Sequence, residues 1–393
     1  MKHKVCAVSG TRADYGLLKE ILKRLKQSDE IDLRLVVTGS HLEDAFGNTQ
    51  SEIQRDGFQD YVSLPIAMDD DSKRGMARAT GEAVKSFADC FEDMKPELLL
   101  VLGDRYEVFA AVIAAHLSGI PIAHISGGDV TEGAVDDAIR HGITKMSSLH
   151  FPGCEQSRKR IIQMGEEPDR VFNVGEPGVE NCLKTDFMSR DTLAESVGFD
   201  KILSDYCIVT FHPVTMENNT GEGQVRELIR AMDSISGMSY IITLANADAG
   251  GRVINDIWRE EGRKRDNWLV VPSLGVIKYL SALKYSRVVI GNSSSGIVEA
   301  PSLGIPSVNV GDRQKGRMMA ESVVSCLPEW KCIQQAIQTA LQPEFRERAK
   351  KVQSPFGNGD TSALIEKHLM DYLDALAGKK GKHFYDIEFR LDE

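Results

Sequence analysis

The segment HISGGDVTEGAVDDAIRH, His124 to His141, holds two histidines, three glycines, four acids and one arginine directly after the apolar run IPIA. Such a loop is costly to order and fills a core poorly. Its carboxylates are therefore expected to act on something bound, and acid–base work on a polar ligand is the chemistry that suits them. The acids are Asp129, Glu132, Asp136 and Asp137, with Arg140 following them. Asp136, Asp137 and Arg140 open a predicted helix, and a helix dipole favours acids in its first turn, so one of the two aspartates is expected to serve only as a cap. No Cys/His spacing of a zinc site occurs. The interleaved Arg105 and Arg140 argue against Mg²⁺, so no metal is expected.

Charged groups recur at the ends of other apolar runs. LGDRYE places Asp104 and Arg105 after the most apolar stretch of the chain; the alternative is an aspartate capping the next helix, with Arg105 on a neighbouring acid. SGTRADYG sets Arg12 and Asp14 between a strand and a helix, where backbone N–H groups favour an anion. A plain loop with Asp14 near the helix start is the competing reading, and without GxGxxG it is no dinucleotide fingerprint. Ser40 and His41 follow the next strand. His212 follows IVTF and His124 lies within IPIAHI; each can bond a phosphate or move a proton, or can be a satisfied core histidine. His116 is read as structural, and His3, His368 and His383 are given no role. Asn246 follows IITLA. GNSSSGIVEA is the clearest phosphate signal. Ser293 and Ser294 would open a helix and donate to a diphosphate, with Glu299 about one turn inside to accept ribose hydroxyls; a serine-capped helix is the alternative. Arg313, Lys315 and Arg317 in GDRQKGR can oppose a diphosphate or be solvated charges.

These residues need a scaffold. KVCAVSG, LRLVVTG, ELLLVLGD, IPIAHISG and RVFNVGEP read as strands alternating with helices, the first helix spanning about Leu17 to Lys26. YCIVTFHP, SYIITLAN, WLVVPS, RVVIGNSS and IPSVNVG form a second series after a polar connector from Thr185 to Asp205. Apolar strands between amphipathic helices predict buried parallel sheets. The fold class is α/β, with two Rossmann-like doubly wound domains. The expected bounds are 1–185 and 200–358, then a helix over about 360–378 and a tail at 379–393. Ligands of such sheets bind beyond the carboxyl ends of the strands, so two facing sheets would make one central cleft.

The bulk numbers agree. The 393 residues suit two domains, with 42% hydrophobic and 27% charged residues. A formal charge of −11 argues against a nucleic-acid partner. No run of eighteen apolar residues occurs, so no membrane span is expected, and the start lacks the pattern of a signal peptide. Seven cysteines without a CxxC pair read as reduced thiols in a cytoplasm.

Taken in order, GTRADYG, TGSHL, GDRYE, GGDVTEGAVDDAIRHGITK, HPVT, GNSSSG and GDRQKGR resemble the UDP-N-acetylglucosamine 2-epimerases, specifically their hydrolysing branch. The likeness runs from near residue 4 to about residue 370. It implies a GT-B fold with UDP in the cleft and a last helix that returns to the first domain. It implies conversion of UDP-GlcNAc and water to N-acetylmannosamine and UDP, the step that begins sialic acid synthesis, in a homodimer or homotetramer. By position, Arg12, Arg105, His212, Asn246, Ser293, Ser294, Glu299 and Arg313 would contact UDP or substrate, with His41 and His124 near the sugar and Arg140 close by. Asp104 and Asp136 match carboxylates that handle protons. The family usually has a glutamate where this chain has Ser126, so either Asp129 or Glu132 is expected to replace it or the substrate is expected to differ.

That reaction accounts for the acids. The C2 proton of the sugar is not acidic; it leaves only as the C1–O bond to UDP breaks and C1 becomes cation-like. Carboxylates near C1 and C2 stabilise that charge and act as base and acid. Arginine, serines and a helix start stabilise the diphosphate. Elimination gives a 2-acetamidoglucal; water then adds at C1, and C2 is reprotonated from the opposite face. No cofactor is needed. Three other readings remain: the same reaction on UDP-2,4-diacetamido-2,4,6-trideoxyglucose, which feeds legionaminic acid; a UDP-sugar GT-B glycosyltransferase; and a non-catalytic nucleotide-sugar sensor, which should have lost Asp104 or Asp136.

Overall fold

The computed structural model describes residues 2–43, 49–66, 72–131, 135–213, 221–245, 251–375 and 381–388. Its strands are β1 (His3–Ser9), β2 (Ile31–Thr38), β3 (Tyr61–Leu64), β4 (Leu98–Leu102), β5 (Ile122–Ile125), β6 (Leu149–Phe151), β7 (Tyr206–Thr210), β8 (Ser239–Thr243), β9 (Trp268–Val271), β10 (Val289–Gly291), β11 (Ser307–Val310) and β12 (Val323–Cys326). They form two six-stranded sheets, ordered β3-β2-β1-β4-β5-β6 and β12-β11-β10-β7-β8-β9, with every pairing parallel. Both are Rossmann orders. In each, the chain starts at the centre and reverses direction, at β1/β4 in the first sheet and β7/β10 in the second, and such switch points open a crevice for ligand.

The chain divides into two compact units. One holds the residues up to Val130, then Val135–Glu180, then those from Gly359 onward; the other holds Asn181–Asn358. In the first, successive residues of one strand serve opposite cores. Val5 and Ala7 of β1, with Leu98, Leu100 and Leu102 of β4, pack on one face. Cys6 and Val8, with Leu99 and Val101, pack on the other. Burial on both faces is why these strands read as unbroken apolar runs. The second unit repeats this with Cys207 and Val209 on one side of β7 and Tyr206 and Ile208 on the other. The helix Thr361–Asp374 sits in the first unit, where Ile365, Leu369, Tyr372 and Leu373 join the core that includes Leu18, Ile21 and Leu22 of the helix Arg12–Gln27. Among the described residues, no helix is long and apolar enough to cross a membrane.

The stretch read as a strand in RVFNVGEP is not one. It makes a single bridge, His150 to Val171, and two further bonds, Phe172 N to His150 O (2.9 Å) and Val174 N to Pro152 O (3.1 Å), so it only borders β6. The first helix begins at Arg12, five residues ahead of the expectation, because Thr11 caps it by accepting from Asp14 N at 3.2 Å.

Candidate active site

In the first unit, the groups expected to do chemistry gather where β1, β4 and β5 end. Asp104 lies two residues past β4, and its Oδ2 accepts from Arg140 Nη2. Arg140 is buried on the helix Val135–Met146 and also donates from Nη1 to Asp129 O at 2.9 Å. A charged donor on Asp104 holds its carboxylate in place. Asp104 therefore does not cap the helix Tyr106–Leu117. Arg105 occupies the cap position instead, and its guanidinium forks onto the buried carboxylate of Glu107, with Nε to Oε2 at 3.2 Å and Nη2 to Oε1 at 2.9 Å. The neighbouring acid foreseen for Arg105 is thus Glu107.

Asp129 is buried, and its Oδ1 accepts from Ser157 Oγ at 2.5 Å. Asp136 is exposed in the first turn of its helix, and Asp137 lies 3.8 Å from Arg140 and 3.6 Å from His141. Glu132 lies outside the described residues. Arg12 is half-exposed and reaches Glu52 at 3.4 Å. Asp14 is buried with Oδ2 lacking a partner among the described residues; burial pushes its carboxyl up to about 6, although the nearby Arg105 pulls the other way.

The two histidines expected near the sugar, His41 and His124, are locked. His41 contacts Ser9 Oγ through Nε2 at 2.9 Å and Thr49 Oγ1 through Nδ1 at 2.6 Å, and burial pulls its pKa down to about 4. His124 donates from Nε2 to Gly103 O at 2.8 Å, faces Thr144 Oγ1 at 3.2 Å, and is driven by burial to about 3. Both are neutral near pH 7. His124 fixes the residue before Asp104, so its evident work is positioning.

This burial has a consequence for acid stability. A histidine whose folded pKa is depressed below 6.5 binds protons mainly in the unfolded chain, so its contribution is present above pH 6.5 and is lost as pH falls. For His124 alone the loss between pH 7 and pH 5 is about 2 kcal/mol. Asp14, raised from 3.8 to about 6, acts in the opposite sense. His124→Gln, which keeps a donor for Gly103, is expected to reduce the pH 7 to pH 5 drop in urea-unfolding free energy by about 2 kcal/mol. An unchanged drop would show that His124 is not buried neutral.

In the second unit, β7 and β10 end side by side. Gly291 has φ +132°, and a Cβ there would overlap the carbonyl oxygen of Thr210, so only glycine lets these backbones meet. Asn292, which sequence reasoning passed over, ties the two ends together: its Oδ1 accepts from His212 N at 2.7 Å and its Nδ2 donates to His212 O at 2.8 Å. Its own carbonyl accepts from Arg313 Nη1 at 3.1 Å and Gln314 Nε2 at 2.8 Å. An Asn directly after a GN-type strand end was the available signal. The serines open a single 3-10 turn, Ser294–Gly296, rather than a long helix, and Ser293 caps it. Glu299 heads the four-residue helix Glu299–Ser302 instead of lying a turn inside. The donors offered there are thus hydroxyls and loop N–H groups, not a long helix dipole.

Two groups of this loop cluster have buried atoms without a partner among the described residues, His212 Nδ1 and Glu299 Oε2. His212 is pulled down to about 4 by burial and by Arg313, and burial raises Glu299. A buried polar atom left unpaired costs about 1–3 kcal/mol, so a ligand that pairs it recovers that cost. Glu299 offers an acceptor suited to sugar hydroxyls; His212, Ser293, Ser294 and Arg313 offer donors suited to phosphate oxygens. Asn246 lies outside the described residues.

Residues 23–370 match the UDP-N-acetylglucosamine 2-epimerase family. The chain belongs to that family. Among its relatives is the Campylobacter jejuni GDP/UDP-N,N'-diacetylbacillosamine 2-epimerase (hydrolyzing), 36% identical over 88% of this chain and 89% of that one. Another is the Escherichia coli polysialic acid biosynthesis protein P7, 35% identical over 98% and 97%. The crystal structure of the Neisseria meningitidis UDP-GlcNAc 2-epimerase bound to UDP-GlcNAc superimposes with a TM-score of 0.79 at 22% identity, covering 94% of this chain and all of that one. The fold is of the GT-B type, α/β with two Rossmann sheets.

Proposed function

We propose that this 2-epimerase family member is a hydrolysing enzyme that converts UDP-GlcNAc and water to N-acetylmannosamine and UDP. The observation that carries the reading is the pairing of two chemistries, each at the switch point of its own sheet. The first unit offers Asp104, gripped by Arg140. The second offers His212 and Glu299, each with one buried side-chain atom lacking a partner among the described residues, beside the serine loop and Arg313. Glu299 accepts the ribose hydroxyls, with Asn246 assisting at the nucleotide. Ser293, Ser294, His212 and Arg313 take the charge that builds on the diphosphate as C1–O breaks. Arg12 and Arg105 add cationic contacts to the substrate.

Asp104 and Asp136 serve the C2 proton. One removes it as UDP departs, which leaves a 2-acetamidoglucal, and the other returns a proton to the opposite face as water adds at C1. Asp129, whose carboxylate is held by Ser157, anchors the turn that follows β5. His41 and His124, each with both ring nitrogens engaged, shape the sugar side of the site rather than carry protons.

A second substrate reading is UDP-2,4-diacetamido-2,4,6-trideoxyglucose, and the name of the C. jejuni relative favours it. The two substrates differ only at C4 and C6, away from the reacting carbons. Steady-state kcat/KM for both settles the choice. The proposal expects UDP-GlcNAc to be preferred; preference for the diacetamido sugar by ten-fold or more assigns the second reading.

A further inference from the structure

The carboxylate that stands at Ser126 comes from elsewhere in the chain. After bordering β6, the backbone passes Gly175 and turns at Glu176 into the helix Pro177–Lys184. Glu176 reaches back toward the end of β5, where its Oε2 accepts from Ser126 Oγ at 2.9 Å. Against Glu176 lies Gly153, just past β6. A Cβ on that glycine would overlap Oε1 and the carboxyl carbon of Glu176, so the carboxylate fills the space a side chain would take. Ser126 itself has φ +58°, one of two non-glycine residues with positive φ among those described. Such a conformation is strained for a residue with a Cβ and is kept where surrounding structure demands it. Here it turns the hydroxyl onto Glu176. Asp129, the nearer acid in sequence, is instead engaged by buried Ser157.

Resting on the 2-epimerase reading above, we propose that Glu176 is the base for water addition, with Ser126 as its positioning residue. The reaction requires three proton movements at C1 and C2: loss from C2, return to C2 on the other face, and loss from the incoming water. Asp104 and Asp136 account for the first two. In the third, a water electron pair forms the O–C1 bond and the water proton passes to Glu176. The C1–C2 π pair takes the proton supplied at C2, and Glu176 later yields its proton to solvent. The Ser126 hydroxyl, donating to Oε2, fixes the orientation in which the Glu176 carboxylate meets the water.

Glu176→Gln, which keeps the shape and an acceptor for Ser126, tests this in the full chain with the better of the two UDP-sugars. The expected result is UDP release within about five-fold of wild type, with sugar formation slowed about 100-fold, so that 2-acetamidoglucal accumulates as a vinyl proton signal by NMR. Ser126→Ala is expected to lower kcat rather than raise KM and to move the acid limb of the sugar-formation profile to higher pH, because a donor to the carboxylate is gone. Two results overturn the proposal: sugar formation by Glu176→Gln within three-fold of wild type, or loss of UDP release in parallel with sugar formation. If the Gln variant does not fold, Glu176→Asp carries the test; released glucal supports the assignment and its absence removes it. A wild-type chain that releases no UDP from either sugar would instead remove the underlying reading.

Discussion

Asp104→Asn lowers turnover at least about 100-fold while UDP binds as tightly as before. The asparagine is isosteric and keeps an oxygen for Arg140 Nη2, so the end of β4 stays in place. It cannot accept a proton, and proton transfer by a placed side chain is worth about 10²–10⁴ in rate. UDP affinity should not move, because the groups assigned to UDP belong to the second unit. Turnover with purified protein and UDP binding by calorimetry check the two halves separately. Near-wild-type turnover would take Asp104 out of the mechanism.

Arg140→Met has a different signature, a loss in both stability and rate. The side chain of Arg140 is 9% exposed, and it serves the Asp104 carboxylate and the Asp129 carbonyl together. Methionine retains the apolar stem but strands both acceptors, and removing one partner of a buried pair costs about 3 kcal/mol. Urea unfolding should show that loss, and turnover should fall at least ten-fold as Asp104 loses its orientation. The two changes act on one interaction, so the double variant should be little slower than Asp104→Asn alone. Full additivity would mean that Arg140 acts through something other than Asp104.

Strands buried on both faces were readable because every residue must be apolar. β1, β4 and β7, and the switch-point residues that follow them, were legible for that reason. Three of the four edge strands were not; the fourth, β9, was read because all four of its residues, WLVV, are apolar. β3 has only Leu64 fully buried of its four residues, and β12 has none, so neither shows a run. β6 is three residues long and includes His150, whose burial depends on Glu166 rather than on apolarity. The apolar RVFNV lies at the sheet's end, where only a bridge forms, and was read as more strand than it is.

The candidate site divides in the same way. Asp104 and Arg140 were visible as charges beside an apolar strand, but their partnership spans 36 residues and needed the fold. Glu176, proposed above as a base, was hidden because it is placed by a contact 50 residues back and by the missing side chain of Gly153, neither of which leaves a local pattern. Glu299 was placed one turn too far into its helix, because a serine-rich strand end announces a loop but not the length of the helix after it.

The central claim is that the chain removes and replaces the C2 proton while UDP departs. Incubation with UDP-GlcNAc, and in parallel with the 2,4-diacetamido sugar, in D₂O without acceptor or NAD tests it most directly. The account predicts free UDP together with a 2-epimerised sugar that carries deuterium at C2. UDP released with the original C2 hydrogen retained would contradict it, and would point to simple hydrolysis or to sugar transfer.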